Sequence, residues 1–297
     1  MTRQHFRFFE RLRVRWAEVD MQKIVFNGHY LLYFDTAVGG YWRALALPYE
    51  AAMHQLGGDL YVKKASLEYH ASARYDDTLE VAIKCEHMGN SSMRFASAVF
   101  RGETLLVSGE LLYVFADPST QKSQPVPAVL REVLLGFEAG QQMVEVRLGS
   151  WDALGHDAAA LREAVFMQEQ GVSPADEWDG RDPQALHAVA YNRMGLAVAT
   201  ARLLQETQES TGTARIGRMA VCRVLRGSGV GTRLLHSLLQ TAAAQGHAQV
   251  VLHAQCSAQG FYARAGFTPR GPVFDDAGLP HVEMFMPLGG QSPEIPR

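Results

Sequence analysis

The order of predicted helices and strands changes near residue 140, and this change constrains the fold more than any other feature of the sequence. Before it, a strand, a long helix and several more strands follow one another, whereas strands and helices alternate after it. A small, polar segment at 138–142 separates the two patterns. A chain of 297 residues is also long for a single core. We therefore expect two unlike domains, 1–140 and 141–297.

A single apolar stripe predicts the long helix of the first half. Within residues 27–47, apolar side chains recur at spacings of three and four, and Pro48 ends the pattern. The stripe is formed by Tyr30, Phe34, Ala37, Tyr41 and Leu45. Strands are predicted at 8–16, 79–85, 92–100 and 104–115, and a short helix at 129–137. Because short turns join the later strands, we expect an α+β fold in which a curved antiparallel sheet wraps around one helix.

The alternation in the second half predicts a mixed α/β fold. Helices are expected at 153–170, 229–245 and 258–265. Strands are expected at 143–148, 187–191, 196–204, 216–222, 250–254 and 282–287. The helix at 229–245 is the most regular, because its apolar side chains share one face.

Charge and cysteine content argue against several classes of protein. A net charge of -3 is typical neither of a nucleic-acid-binding protein nor of a membrane-surface protein, so we expect neither partner. Residues 1–15 lack the apolar segment of a secretion signal, and no stretch approaches the length of a transmembrane helix. The three cysteines show no CxxC spacing, so no disulfide framework is expected. We therefore expect a cytoplasmic protein, and no metal site.

The run Arg226-Gly227-Ser228-Gly229-Val230-Gly231 connects a predicted strand to the helix at 229–245. The first N–H groups of a helix have no intrahelical acceptor and carry partial positive charge. Glycines let this backbone approach a phosphate closely, so the run is suited to a pyrophosphate. A tight turn without a ligand is the alternative, but the strand before the run and the helix after it favour the phosphate site.

With its neighbouring motifs, this run resembles the acyl-CoA loop of the GNAT N-acetyltransferase superfamily. Residues 166–170, followed by Asp176, Asp179 and Asp182, are similar to one bacterial subgroup, as are the runs at 253–255, 261–262, 266–267 and 278–281. The resemblance spans residues 143–288. It implies a GNAT-type mixed α/β fold, acetyl-CoA as a substrate and a small-molecule or peptide amine as the acceptor.

The same resemblance implies roles for individual residues. The loop from Arg226 to Gly231, with Thr232, would hold the pyrophosphate of coenzyme A, and Met219, Ala220 and Val221 would pair with the pantetheine amides. Tyr262 would protonate the departing thiolate, with a packed aromatic as the alternative. Glu169 and His253 are candidates to receive the amine proton. Glu169 is equally well explained as a helix-end carboxylate, and His253 is better explained as a core or wall residue. The acidic stretch 176–179 would suit a cationic acceptor, although a solvated loop is the simpler explanation.

Asp20 lies just before the predicted long helix. A carboxylate there could attack a thioester carbonyl or activate a water, and N–H groups at the helix start, near Asn27, could stabilise the oxyanion. From spacing alone, a turn residue at 20 and an N-cap at 27 are the simpler explanation.

The longer pattern Trp16-x-Glu18-x-Asp20, with Ile24-Val25-Phe26-Asn27 and Tyr30, resembles the hotdog-fold acyl-CoA thioesterases of the hydroxybenzoyl-CoA type. The resemblance spans residues 6–135. It implies that Asp20 is a nucleophile or general base and that the backbone amide near Asn27 is the oxyanion donor. It also implies a homodimer or homotetramer with the site at the subunit interface. Residues 21–23 and Asn27 depart from the residues that this family often has there.

Two further pairs of residues are weaker candidates in the first half. Tyr41 and Trp42 could line an acyl pocket, although core packing explains them better. Lys63 and Lys64 could meet the phosphates of coenzyme A, and a solvated surface is the alternative.

These features predict a bifunctional enzyme, an acyl-CoA thioesterase joined to an acetyl-CoA-dependent N-acetyltransferase. The alternative is an acyl-CoA-sensing domain joined to an active acetyltransferase. The unusual residues 21–23 are the only feature that favours this alternative.

Overall fold

The computed structural model describes residues 1–205 and 212–288. Its internal contacts divide the chain into two compact units, Met1–Met143 and Val144–Arg297. The boundary predicted from the polar segment falls just before this division. Each unit has its own sheet and its own core.

The first unit is a five-stranded antiparallel sheet with a long helix packed on it. Its strands are β1 (Phe8–Arg13), β2 (Asp59–Tyr69), β3 (Thr78–Met88), β4 (Ser92–Arg101) and β5 (Thr104–Ala116). They lie in the order β1-β3-β4-β5-β2. Its helices are α1 (His29–Ala44), α2 (Tyr49–Leu56) and α3 (Ala128–Glu138). The prediction of an antiparallel sheet on one long helix is confirmed.

The predicted apolar stripe of α1 faces the sheet. All five of its side chains are at most 2% exposed, and burying each large one contributes roughly 1.5–3 kcal/mol. Helix and sheet approach closely at Gly109 of β5. A Cβ there would lie 2.8 Å from the Phe34 ring, so a larger residue would push the helix away.

The sequence patterns do not predict α2 or β2. Pro48, which ends the pattern of α1, is also the N-cap of α2. A residue at this position makes no intrahelical hydrogen bond through its N–H group, so a proline there costs the helix nothing. β2 is an edge strand, and most of its residues are exposed, so it shows no alternation of period two. A register shift between Val62 and Lys64 interrupts its pattern further.

A buried carboxylate fixes the loop that enters α1. Glu18 is 3% exposed and accepts hydrogen bonds from the N–H and the Nε of Arg15, both at 2.7 Å, and from the Tyr33 hydroxyl at 2.8 Å. Burial opposes ionisation, but these donors outweigh it, and the pKa of Glu18 is lowered. The Glu18 carbonyl also accepts from the Phe26 N–H at 2.9 Å, which closes the loop containing Asp20.

The second unit is a seven-stranded mixed sheet in the order β11-β12-β10-β9-β8-β7-β6. Its strands are β6 (Val144–Gly149), β7 (Leu186–Asn192), β8 (Ala197–Gln205), β9 (Thr213–Val221), β10 (Gln249–Gln255), β11 (Thr268–Asp276) and β12 (Leu279–Pro287). Its helices are α4 (Trp151–Arg162), α5 (Pro174–Glu177), α6 (Val230–Ala244) and α7 (Gln259–Arg264). The mixed α/β prediction is confirmed.

β9 and β10 are parallel neighbours that pair over three residues and then separate. Their register begins at Thr213 with Gln249 and ends at Arg215 with Val251. On its other side, β9 continues to pair with β8 as far as Val221. Arg218, in an irregular part of that pairing, has a left-handed φ of 51°. The separation leaves a wedge-shaped opening in the middle of the sheet.

One prediction for this unit was wrong in detail. The helix expected at 153–170 is α4 followed by a π-helical segment, Glu163–Glu169. Such a segment changes which side chains face the sheet, which a period of 3.6 residues does not anticipate.

The strand β11 is not predicted from the sequence, because Pro269, Gly271 and Pro272 are typical of a turn. As an edge strand, β11 tolerates the missing N–H groups.

Three arginines and three carboxylates form an ion-pair cluster in the second unit. Arg162, which is 1% exposed, lies 2.5 Å from Glu177 and 2.7 Å from Asp182. Arg202, 4% exposed, donates to Asp182 at 2.8 Å and also binds Asp179. Arg218 lies 3.2 Å from Glu177 and 3.6 Å from Asp179. The charges balance, and the cluster fastens residues 177–182 to β8 and β9.

In residues 1–205 and 212–288, no helix is long and apolar enough to cross a membrane. The same residues contain no group of three or more His, Cys, Asp or Glu side chains that could hold a metal ion. The three cysteines are free thiols.

We expect Tyr33→Phe to destabilise the loop before α1 by about 1.5–3 kcal/mol, because it removes a hydrogen bond to a buried carboxylate. Faster amide hydrogen exchange in residues 14–34 of the full chain would show this. Since the pKa of Glu18 is lowered, its contribution is complete above pH 4.5 and is lost as pH falls through the folded-state pKa. Tyr61→Phe is the control, and equal exchange in both variants would contradict the role of Glu18.

Arg162→Met should cost the second unit about 3–5 kcal/mol, because it leaves buried carboxylates without a full complement of positive charge. The urea midpoint, followed by hydrogen exchange in residues 186–205, measures this. Arg147→Met removes an exposed arginine that pairs with Glu145 and should have little effect. Equal midpoints for the two variants would show that the cluster does not stabilise the unit.

Candidate active sites

Asp20 lies in a tight turn on the loop that leads to α1. Its N–H donates to the Ile24 carbonyl and its carbonyl accepts from the Lys23 N–H, both at 2.9 Å. Carboxylate oxygen Oδ1 accepts from the Gln22 N–H at 2.8 Å. Among the described residues, Oδ2 has no protein donor, and the side chain is partly exposed. This oxygen is therefore available to a water or a substrate.

Asn27 is exposed and directly precedes Gly28, the N-cap of α1. Its carbonyl accepts from the Tyr69 hydroxyl at 3.2 Å, which ties it to β2. Its N–H donates to no protein acceptor in the part of the chain that the structure describes. A free N–H at a helix start carries partial positive charge, so it can stabilise an anion. Asp20 and Asn27 thus belong to one loop, whose arms are joined by the bridge between Val19 and Val25.

The weaker candidates of the first half do not join this loop. Tyr41 is fully buried and donates to Glu138 at 2.5 Å, and Trp42 is 5% exposed, so both are core residues. Lys63 and Lys64 are exposed on β2, and the Nζ atom of Lys64 lies 3.5 Å from Glu110.

Large apolar side chains near the Asp20 loop are exposed, a feature that the sequence analysis missed. They are Trp16, Met21, Phe26, Leu31 and Leu32. Trp16 makes an edge contact with Tyr75 at 5.4 Å between ring centres. Exposed apolar groups of this density mark a surface that binds a ligand or another protein. The sequence alone does not distinguish these residues from core residues; their exposure is visible only in the tertiary structure.

A cavity of about 1190 Å³ lies in the second unit where β9 and β10 separate. The loop before α6, the diverging strands and α7 all contribute to its wall. Eight of the predicted cofactor-binding and acid residues line it: Met219, Val221, Arg226, Gly227, Gly229, Gly231, Thr232 and Tyr262. The weaker candidates His253, Asp176, Glu177 and Asp179 line it as well. Residues far apart in sequence therefore meet at one opening.

The loop before α6 presents a cradle of backbone donors. Gly227 and Gly229 have left-handed φ values of 82° and 89°, which favour glycine. The N–H groups of Gly229, Val230, Gly231 and Thr232 donate to no protein acceptor within the described residues. Because they stand at the N-terminus of a 15-residue helix, the helix dipole adds to their positive potential.

Three predicted cofactor residues do not line the cavity with their side chains. Ala220 is buried and pairs with Thr200 of β8, and Val230 is buried in the core. The Ser228 hydroxyl donates to the Leu225 carbonyl at 2.6 Å, so it stabilises the loop itself. Backbone atoms at these positions are the groups that could meet a ligand.

Tyr262 lies on α7, in the wall of the cavity, and is partly buried. Its hydroxyl lies 3.6 Å from the Met219 sulfur, a weak acceptor. Burial raises the pKa of this phenol to about 12, so it stays protonated across the neutral range.

Glu169 is bound to Arg226, in the loop before α6. Its two oxygens accept from Arg226 Nη1 and Nη2 at 2.6 and 2.8 Å, and this bidentate pairing lowers its pKa. Glu169 does not line the cavity, but its neighbour Gln170 does, and accepts from Gln255 of β10 at 3.0 Å. The end of the π-helical segment is therefore fastened to both the loop and β10.

The acidic stretch at 176–179 is largely engaged with other groups. Asp176 accepts from the Ser173 hydroxyl at 2.7 Å, and Glu177 and Asp179 belong to the ion-pair cluster. Hydrogen bonds from Arg202 hold the pKa of Asp179 well below its ordinary value.

Two family models match the chain, one in each unit. The model described as an acetyltransferase (GNAT) domain matches residues 162–288, and that of the thioesterase superfamily matches residues 22–108. The first range includes the cradle, Glu169 and Tyr262. The second begins two residues after Asp20 and includes Asn27.

Relatives of known sequence match about half of the chain. YyaT of Bacillus subtilis, an uncharacterised protein, is 31% identical over 133 residues, which cover 43% of this chain and 86% of YyaT. The protein Rv2851c of Mycobacterium tuberculosis is 36% identical over 138 residues, covering 46% of this chain and 86% of its own.

Solved structures resemble each unit. Escherichia coli ElaA is 30% identical and covers 48% of this chain and 99% of itself, with a TM-score of 0.44. Slr0204 of Synechocystis, a 1,4-dihydroxy-2-naphthoyl-CoA thioesterase, is 18% identical and covers 43% of this chain and 95% of itself, with a TM-score of 0.40.

The family matches agree with the two sheets and with the position of the cradle between a strand and a helix. The chain therefore belongs to the GNAT acetyltransferases through residues 162–288, and it carries before them a hotdog domain of the thioesterase superfamily.

Proposed function

We propose that the protein is a bifunctional acyl-CoA enzyme, in which the first unit hydrolyses a thioester and the second transfers an acetyl group from acetyl-CoA to an amine. The observation that carries most weight is the cradle of unpaired N–H groups at the opening between β9 and β10. The cradle is an anion site, and the free edge of β9 lies at the same opening. An extended ligand with a pyrophosphate and amide groups, such as coenzyme A, could bind both.

In the second unit, the pyrophosphate binds the N–H groups from Gly229 to Thr232. The pantetheine amides pair with the edge of β9 at Met219–Val221, which β10 leaves free. The thioester then lies in the wedge, where a neutral amine attacks its carbonyl. Tyr262 donates a hydrogen bond, and then a proton, to the thiolate as it leaves. The low-dielectric surroundings that keep the phenol protonated also disfavour a bare thiolate, so both effects promote the transfer.

Glu169 does not serve as the general base in this proposal. Both oxygens of its carboxylate are bound to Arg226, so Glu169 holds the loop before α6 in position and is a poor acceptor for the amine proton.

In the first unit, the free Oδ2 of Asp20 attacks the thioester carbonyl or takes a proton from an attacking water. In the first route the C–S bond breaks as an acyl-aspartyl anhydride forms, and water then hydrolyses this anhydride to restore Asp20. In the second route the water adds directly and the C–S bond breaks. In both routes the leaving thiolate takes a proton, from solvent or from the protonated Asp20. The Asn27 N–H stabilises the oxyanion that forms on the carbonyl oxygen. The exposed apolar side chains beside this loop provide the surface for the acyl group and for a second subunit.

The first unit assembles as a homodimer or homotetramer. The exposed edge of β2 and the exposed Leu31 and Leu32 of α1 support this assembly, because an isolated subunit would leave them in water. The proposal needs three partners, an acyl-CoA, an amine and a second subunit of the same chain. All three occur in the cytoplasm, where we place the protein.

Asp20→Asn should lower kcat/KM for thioester hydrolysis by about 10²- to 10⁴-fold, since it removes the reacting oxygen in either route. The full chain is assayed with acetyl, medium-chain, long-chain and aromatic CoA esters. Asp76→Asn, another carboxamide substitution at an exposed turn, is the matched control. Absence of hydrolysis by a folded wild-type protein would favour an acyl-CoA-sensing first unit.

Tyr262→Phe should lower kcat for acetyl transfer by about 10²-fold or more, because the leaving thiolate loses its proton donor. Acetyl-CoA binding, measured by calorimetry, should not change. The Asp20→Asn background removes thioester hydrolysis, and acetylated spermidine, benzylamine or lysine is quantified by mass spectrometry. Tyr191→Phe, whose hydroxyl bonds Asp157 outside the cavity, is the control. Parallel loss of binding and turnover would mark Tyr262 as structural.

A further inference from the structure

His253 lies in the wall of the acetyltransferase cavity. It is on β10, two residues beyond Val251, the last residue that pairs with β9. Although its neighbours Leu252 and Ala254 are buried, 39% of its side chain is exposed. The separation of the strands therefore uncovers one imidazole beside the opening that receives the thioester.

Glu283 faces this imidazole from the neighbouring strand. Residues 253 and 283 are register partners of β10 and β12, and His253 Nε2 lies 3.7 Å from Glu283 Oε2. This separation is an ion-pair contact and slightly too long for a hydrogen bond. Arg270 of β11 donates to Glu283 from Nε at 2.7 Å, and Arg215 of β9 lies 3.6 Å away. The carboxylate is thus held in place from two sides while it faces the ring.

The other groups around His253 come from each element packed against it. Arg215 of β9, Asp276 at the end of β11, and His281 and Glu283 of β12 act on its charge. The Phe274 ring of β11 contacts the imidazole edge-on at 4.9 Å between ring centres. Burial first, and then Arg215, lower the pKa of His253 below its ordinary value, against the opposing effect of Glu283. The ring is consequently neutral at pH 7 and has a lone pair to offer.

Glu169, the other candidate for a base, lacks these properties. It lies outside the cavity wall and both of its oxygens are bound to Arg226. Of the two, only His253 combines access to the cavity with a free proton-accepting nitrogen. A ring that keeps its proton on Nε2, towards Glu283, has its lone pair on Nδ1.

We propose that His253 is the general base that deprotonates the acceptor ammonium, and that Glu283 is a positioning residue that stabilises the imidazolium. This inference rests on the proposed acetyltransferase function and identifies the acceptor class as an amine that is cationic in neutral solution.

The protons balance in the following way. The ammonium gives one proton to His253, which later releases it to solvent. The neutral amine forms the C–N bond, and the C–S bond breaks as the thiolate leaves. The thiolate takes a proton from the Tyr262 hydroxyl, and the hydroxyl is restored by the second proton lost from the new amide nitrogen. Acetylated amine, free coenzyme A and one proton in solvent are the products.

The test compares pH profiles of kcat/KM in the Asp20→Asn background, with spermidine, benzylamine and lysine as probes. His253→Asn should lower kcat/KM at pH 7 by about 10²-fold or more. It should also remove the acid limb that we expect of wild type below pH 6.5, because the pKa of His253 is lowered. Glu283→Gln should keep that limb but move it to lower pH, because the imidazolium loses its carboxylate. A merely structural role for Glu283 would not move the limb in this direction. His156→Asn, at an almost fully exposed imidazole outside the cavity, is the matched control.

A second probe separates the base from the fold. O-methylhydroxylamine is unprotonated at pH 7, so its acetylation should be as fast in His253→Asn as in wild type. His253→Gln repeats the comparison with a different side chain, and acetyl-CoA binding by calorimetry verifies that each variant retains its cavity.

The outcomes distinguish the two proposals. If wild type acetylates a cationic amine and both His253 variants keep its rate and acid limb, His253 is not the base, although the acetyltransferase function stands. If the His253 variants lose activity equally with O-methylhydroxylamine, the residue has no specific role in deprotonation. If wild type binds acetyl-CoA but acetylates none of the amines, the acetyltransferase proposal itself fails.

Discussion

The early separation of β9 and β10 is the constraint on which the second unit depends. Parallel strands in a sheet normally satisfy each other's backbone groups, but here the pairing stops after three residues. The free edge of β9, the exposed His253 and the cavity all follow from this one departure. The irregular pairing of β8 with β9 around Arg218 accompanies it, and the ion-pair cluster holds residues 177–182 against these strands.

The two units handle negative charge in different ways. The cradle before α6 uses several backbone donors at the start of a long helix, an arrangement suited to a permanent anion such as a pyrophosphate. In the first unit, the oxyanion donor that we propose is the single N–H of Asn27, which would meet a charge that exists only during a reaction. Glu18 supports this second site indirectly, because its hydrogen bonds to Arg15 and Tyr33 close the loop on which Asp20 and Asn27 stand.

Seven arginines in the described part of the second unit pair with described carboxylates, and this pairing limits which acidic groups are free for chemistry. Arg226 takes both oxygens of Glu169, so a carboxylate that appears catalytic in the sequence becomes part of the loop's support. Arg215 and Arg270 hold Glu283 and leave it facing His253. The groups that we propose to be reactive are therefore those without such an ion-pair partner, and no local pattern of residues can reveal which these are.

The sequence by itself determined the two-domain order, the antiparallel sheet on a long helix, and the cradle between a strand and a helix. These features depend on local periodicity and on glycine's access to left-handed conformations, which neighbouring residues set. It missed α2, β2, α5 and β11. A proline at an N-cap, an edge strand exposed on both faces, a helix of four residues and a proline-containing strand carry no regular signal. Only the tertiary structure decided that Tyr41 and Trp42 belong to the core, that Glu169 is paired, and that His253 faces the cavity. Each of these depends on contacts between residues far apart in sequence, where burial and charge are fixed by packing.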